Sequence, residues 1–221
     1  MERLGIAGLD CVIHGDGDRT VILLHGFAAP AEDLVPLAWE LRLPPGTRAV
    51  LPAAPIELGL PFADARAWWL LDAARIARGG GLDPAEVPPG LAAARAQVVA
   101  SLDALGAPAE RTVIGGFSQG AMLATDVVLR TDRRFAGLIV LSGALICERE
   151  WTELMPARRG LPIFQSHGAD DPLLPFTLAM RLRALWEQAG ADVSFVSFAG
   201  GHEIPPEVRA GAQAFLWSRF S

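Results

Sequence analysis

Apolar and polar positions along this chain follow two alternating rhythms. Short β-branched or near-continuous apolar runs occupy residues 9–14, 19–24, 47–51, 111–115, 135–142, 161–166 and 193–198, and these predict strands. Between them lie apolar residues at helical spacing. Leu34, Leu37, Ala38 and Leu41 recur at i, i+3, i+4 and i+7, and Leu91, Ala94, Val98, Leu102 and Leu105 form a second stripe. Residues 121–129 supply a third stripe. Leu178, Leu182, Leu185 and Ala189 make a fourth, and Val208, Ala212, Phe215 and Leu216 a fifth. Strands alternating with helices predict an α/β fold, with a mainly parallel central sheet and helices on both faces. The run 135–142 has no polar alternation, as a strand buried on both faces should not.

Three stretches break the rhythm. Residues 52–64 are punctuated by prolines. Residues 79–90 are rich in glycine and proline and read as an excursion over the sheet, because neither flank could stand as a separate unit. One domain over residues 1–221 is therefore expected. Residues 148–160, with Trp151 and Met155, read as an excursion on a pocket rim. Trp68 and Trp69 are adjacent, so they point in different directions on any regular element. At most one is expected in the core; the other is a candidate wall of a substrate pocket or a surface packing residue.

Composition narrows the function. At 221 residues and 51% apolar, the chain can bury a core without disulfides or metal. A net charge of -6 offers no general attraction to nucleic acid or to an anionic membrane. Cys11 and Cys147 lack metal or redox spacing and fit free thiols in a reducing compartment. The first eight residues are too short and broken for a signal peptide, and no apolar run approaches the ~20 residues of a membrane span. A soluble cytoplasmic protein is expected. The chain has no Lys, Tyr or Asn, and all 19 of its basic residues are arginine. That excludes a Walker-type phosphate loop, a Schiff-base lysine and a Ser-Lys dyad. It also leaves backbone amides as the natural donors to an oxyanion. The four histidines show no ligand spacing, so neither metal nor cofactor is implied, and His14 reads as a surface residue.

Gly116-Phe117-Ser118-Gln119-Gly120 lies where a strand pattern gives way to a helix pattern. A serine at such a sharp turn is a nucleophile elbow: its hydroxyl stands above the sheet, and the Gln119 amide lies at a helix N-terminus. His25-Gly26-Phe27 follows an earlier strand, where a second oxyanion amide is expected from Phe27, with His25 bracing the loop. His202 follows the last predicted strand behind Gly200-Gly201. A serine hydroxyl needs an imidazole to take its proton, and the imidazole needs a carboxylate on its other nitrogen. Asp170 and Asp171 compete for that third role. Asp171 is preferred because Pro172 stiffens the turn behind it, which leaves the other carboxylate to cap the following turn.

Together, His25-Gly26, Gly116-Phe117-Ser118-Gln119-Gly120-Ala121, His167-Gly168-x-x-Asp171-Pro172 and Gly201-His202 resemble the phospholipase/carboxylesterase family, which includes the acyl-protein thioesterases. The resemblance spans nearly the whole chain. It implies an α/β-hydrolase fold, a triad of Ser118, Asp171 and His202, and an oxyanion hole from the amides of Phe27 and Gln119. Where the family has glycine and an acidic or polar residue after this turn, Ala28-Ala29-Pro30 stand here, although Asp33-Leu34 still match. The expected activity is hydrolysis of short to medium acyl esters, bound near Phe27 and one of Trp68 or Trp69. A thioesterase or lysophospholipase is the alternative within the class, and a catalytically silent binding module the alternative outside it. The expected partner is a small-molecule ester or thioester; the oligomeric state stays open, a homodimer included.

Overall fold

The computed structural model describes residues 1–30, 32–59, 64–71 and 81–220. Eight of its strands form one sheet: β1 (Glu2–Ile6), β2 (Leu9–His14), β3 (Arg19–Leu24), β4 (Thr47–Pro52), β7 (Thr112–Phe117), β8 (Gly137–Leu141), β9 (Pro162–Gly168) and β10 (Asp192–Phe198). The order is β1-β2-β4-β3-β7-β8-β9-β10. β1 and β2 are antiparallel to their neighbours, and β4 through β10 of this sheet run parallel. A second, two-stranded ribbon pairs β5 (Ile56–Glu57) with β6 (Arg66–Ala67).

The apolar stripes decide which face each helix covers. α1 (Val35–Glu40) and α6 (Pro206–Phe220) bury Leu37, Ala38, Val208, Ala212 and Leu216 against Val21, Leu23, Val113 and Ile139 on one face. α2 (Leu91–Ala104), α3 (Gln119–Arg130), α4 (Glu148–Leu154) and α5 (Phe176–Gln188) pack on the other, over Ile22, Leu24, Ile114, Leu138 and Val140. Alternate residues of β3 and β7 thus serve opposite cores, the period-two arrangement of strands covered on both sides. The order of strands along the sheet reverses at β3, whose neighbours are β4 and β7, so the C-terminal ends of β3 and β7 open the crevice where ligands of such sheets bind.

α3 is buried along almost its whole length, Asp126 included. The Asp126 carboxylate is 0% exposed and would be costly there alone. It accepts from Arg95 Nη1 at 2.5 Å, Arg130 Nε at 2.8 Å and Trp151 Nε1 at 2.9 Å. One buried charge thereby ties α3 to α2 and α4.

Several expectations need correction. The edge strand β1 and the ribbon β5–β6 carry no apolar alternation and were not legible as strands; four of the five β1 residues are exposed. Residues 148–160 are not a rim excursion: they form α4 and a short 3₁₀ turn, and Trp151 and Met155 lie in the core at 0% and 1% exposure. Their spacing of four carries both to one helix face, which earns burial. Of the 79–90 stretch, residues 79 and 80 lie outside the described residues. The rest is pinned to α4, whose start donates from Cys147 N to Glu86 O and from Glu148 N to Pro84 O.

Glycine is obligatory where the elbow meets β3. A Cβ on Gly120 would stand 1.9 Å from the Leu24 carbonyl oxygen, and one on Gly116 2.4 Å from the same atom. Backbone cannot step aside as a side chain can. Gly120→Ala is therefore expected to cost about 3 kcal/mol or more of folding stability. Urea unfolding checks it: a midpoint unchanged from the parent would contradict this close approach.

Candidate active site

Ser118 sits between β7 and α3 with φ 54° and ψ -119°. For a residue with a Cβ this conformation costs about 1–3 kcal/mol, and the surrounding packing must impose it. Its amide donates to Leu141 O at 2.9 Å, and its carbonyl accepts from Ala121 and Met122, the first amides of α3 to close a turn. The side chain is thus held clear of the backbone ladder, and the residue remains partly exposed.

β9 and β10 bring the other two candidates to the same sheet edge. Asp171 follows β9, and its side chain is fully buried. Oδ1 accepts from Leu173 N at 2.8 Å and Leu174 N at 2.9 Å; Oδ2 accepts from His202 Nδ1 at 2.7 Å. Burial alone would raise the Asp171 carboxyl. The Leu174 amide, His202 and the Leu173 amide outweigh it and hold the carboxyl below the usual carboxylate range. Asp170 is exposed and bonds to the His202 loop only through its backbone, from N to Gly200 O at 3.0 Å. The expectation that the second carboxylate would cap this turn is thus corrected: Asp171 caps it with one oxygen and meets the histidine with the other.

His202 is nearly covered, at 12% side-chain exposure. With Nδ1–H given to Asp171, Nε2 is left with the lone pair that a general base needs. The Phe117 ring lies against the imidazole, centroids 4.7 Å apart and tilted by 46°. Behind the loop, a Cβ on Gly168 would fall 2.1 Å from Gly201 O, so the histidine turn sits directly on the end of β9. His167 lies under Asp171. Its Nε2 is 2.9 Å from Leu174 O and 3.3 Å from Asp171 Oδ2, a support that the His167-Gly168-x-x-Asp171 spacing could have signalled.

The His25-Gly26-Phe27 turn stands beside the serine: a Cβ on Gly26 would be 3.4 Å from Ser118 Cβ. His25 braces this turn, with Nδ1 bonded to Gly26 O at 2.8 Å and Nε2 accepting from Ala54 N at 2.9 Å. Arg66 of β6 completes the brace: its carbonyl accepts from Ala28 N at 2.9 Å and its amide donates to Ala29 O at 3.0 Å. The turn thereby acquires sheet-like partners, and Ala28 is held at φ 59°. No feature of the sequence announced this role for β6.

Trp68 and Trp69 are both core residues, at 1% and 2% exposure, which corrects the expectation that at most one would be. The two lie in an irregular bend, where the opposed directions of a regular element do not apply. Trp68 Nε1 donates to His25 O at 2.9 Å. The Gln119 side chain bonds both backbones, accepting from Trp68 N at 3.0 Å and donating to Trp69 O at 2.9 Å. Neither indole offers a face to a substrate in this arrangement. Their burial instead locks the segment behind the elbow. Residues 60–63 and 72–80, which flank it, lie outside the described residues. Among the described residues no cluster of His, Cys, Asp or Glu could hold a metal, and no helix is long and apolar enough to cross a membrane.

A mainly parallel sheet with a strained serine between strand and helix, on the same sheet edge as a hydrogen-bonded Asp–His pair, defines an α/β hydrolase. The chain belongs to the phospholipase/carboxylesterase family, whose sequence profile matches residues 14–218. An acyl-protein thioesterase 1 of Eremothecium gossypii is 30% identical over 210 residues, covering 88% of this chain and 85% of that protein. One from Neurospora crassa is 36% identical over 118 residues, 52% of this chain; the chain spans about half, 48%, of that relative's length. Among solved structures, esterase PE8 is similar with a TM-score of 0.78 at 26% identity, over 95% of this chain and 98% of that one.

Two outcomes follow from this geometry. Gln119→Ala would leave two buried backbone groups unpaired, at a cost of about 2–4 kcal/mol; thermal unfolding reads it, and a parent-like Tm would contradict the clamp. The second concerns pH. Burial pushes His25 and His167 below the ordinary histidine value. Their neutral forms stabilise the fold fully above the unfolded value of about 6.5, and that stability is lost as pH falls through their folded values. Asp171, held low, loses its contribution only on further acidification below about 3.9. The urea midpoint should therefore decline between pH 7.5 and 5; a flat profile would contradict buried neutral histidines.

Proposed function

We propose that this protein hydrolyses carboxylic esters through an acyl-enzyme on Ser118. The observation that carries the reading is the 2.7 Å bond from His202 to buried Asp171, on the sheet edge that also holds a serine at positive φ. His202 Nε2 takes the Ser118 proton as Oγ attacks the acyl carbon. The oxyanion that forms is received by the amides of Phe27 and Gln119, the latter at the positive end of α3. The intermediate collapses as His202 returns the proton to the leaving oxygen. Water, deprotonated by His202, then attacks the acyl carbon, and release of the acid restores Ser118. Asp171 stays ionised throughout and balances the imidazolium. No step calls for a metal or a cofactor.

Short to medium acyl groups fit this site best. Phe27 is half-buried at the turn beside Ser118, and the methyls of Ala28 and Ala29 narrow the entry where glycine would leave it open. A second reading, hydrolysis of acyl thioesters, is favoured by the Eremothecium gossypii relative, an acyl-protein thioesterase 1 aligned over most of the chain. Lysophospholipids are a third substrate class for the same chemistry. Buried Cys11 and Cys147, each raised by burial to about 11, are inert thiols suited to a reducing cytoplasm.

Ser118→Ala and His202→Ala should each lower kcat by about 10⁴-fold while the protein stays folded. Asp171→Asn should approach that loss, and Asp170→Asn should be mild. Turnover of p-nitrophenyl esters and acyl-CoA thioesters of graded length measures both the losses and the substrate class. A folded Ser118→Ala protein with normal turnover would refute Ser118 as the nucleophile, whereas failure of a fluorophosphonate to label Ser118 in an inactive parent would favour a silent binding module. A profile that climbs through palmitoyl substrates would favour the thioesterase or lysophospholipase reading.

A further inference from the structure

We propose that the groove between α1 and the start of α6 is the leaving-group subsite, and that it takes an uncharged alcohol or thiol. This rests on the acyl-enzyme reading above and adds to it the part of the substrate that departs. The groove has a volume of about 260 Å³. Buried Leu34 and Leu37 and half-buried Phe117 and Ile204 line it. A cavity of about 150 Å³ suffices for a benzene ring, so this one accommodates a ring with a short extension, or about six carbons of chain.

Its position decides which half of an ester it serves. His202 Nδ1 is committed to Asp171, so Nε2 must return the proton to the leaving atom. That atom lies on the histidine side of Ser118, while the carbonyl oxygen turns toward the amides of Phe27 and Gln119. Phe117 is the wall common to both places: one part of its ring meets His202 and the residue also lines the groove. Ile204, two residues beyond His202, continues that wall. On the opposite side of the elbow, Trp68 and Trp69 are sealed in the core by Gln119.

Charge at the outer end sets what is admitted. Arg209 Nε pairs with Glu40 Oε2 at 2.7 Å, and Arg209 Nη1 donates to Ile204 O at 2.8 Å. Arg209 lines the groove and so also holds Ile204 in place beside it. With Arg209 so engaged and the carboxylates of Asp33 and Glu40 both lining the groove, an anionic leaving group would meet no free cation among the described residues and two like charges, one of them paired.

Two ester series test the assignment: acetates of methyl to octyl alcohols, and methyl esters of acetic to octanoic acids. In the parent, kcat/KM should rise about twofold per methylene of the alcohol, to a limit near about six carbons, in keeping with partial burial of each group. Ile204→Trp, which fills the groove from a partly exposed position, should flatten the alcohol series and leave the slope of the acyl series as it was. Arg209→Gln should move the alcohol limit to longer chains. If Ile204→Trp flattens the acyl series instead, or if neither variant changes the alcohol series, the subsite is refuted. Fluorophosphonate labelling of the parent separates the two levels. A parent that neither labels nor turns over either series refutes the acyl-enzyme reading itself, whereas a labelled parent whose alcohol series ignores the groove variants refutes the subsite alone.

Discussion

Everything at the catalytic edge depends on how closely α3 approaches the end of β3. The Leu24 carbonyl leaves no room for a Cβ at either Gly116 or Gly120, so the chain can turn from β7 into α3 only with bare backbone on both sides of Ser118. That contact forces the serine into a conformation it would not otherwise hold. It also brings the His25-Gly26-Phe27 turn beside Ser118, because the turn begins where β3 ends. Ser118 and the His25-Gly26-Phe27 turn are thus placed by a single packing constraint. α3, buried along nearly its whole length and anchored through Asp126, gives that constraint something rigid to act against.

The Asp171–His202 pair depends on a second economy of the same kind. Asp171 uses one oxygen to close its own turn and the other to hold His202, and His167 fills the space below. The carboxylate is fully buried yet stays ionised, because each polar contact it makes favours its charged form. Gly168 lets the histidine turn rest directly on β9. Backbone and carboxylate together fix the imidazole, which needs no further charged partner. Buried, neutral His25 serves the other side in the same spirit, as a brace between the turn and Ala54.

Much of this could be read along the chain. The parallel sheet, the helix stripes, the elbow serine, His202 and the preference for Asp171 each rest on local signals: a period, a glycine spacing, a proline after an acid. Such signals are short-range, and they survive without knowledge of what lies across the fold. The two tryptophans failed as pocket markers for the converse reason. Their directions depend on an irregular bend whose backbone is held by Gln119, some 50 residues away in sequence. The 148–160 segment was misplaced because nothing local in it shows that Asp126, some 25 residues earlier, would take the Trp151 indole N–H.

The sequence by itself determined the class of fold and the chain order in which Ser118, Asp171 and His202 follow their strands, and a chain without Lys, Asn or Tyr left few candidate oxyanion donors besides backbone amides. Only the tertiary structure decided which aspartate meets the histidine, how Arg66 completes the brace around Ala28, and that a groove opens beside Phe117. Each of these joins elements distant in the chain. Period and composition describe what a segment prefers alone, whereas these contacts depend on which segments the sheet places side by side.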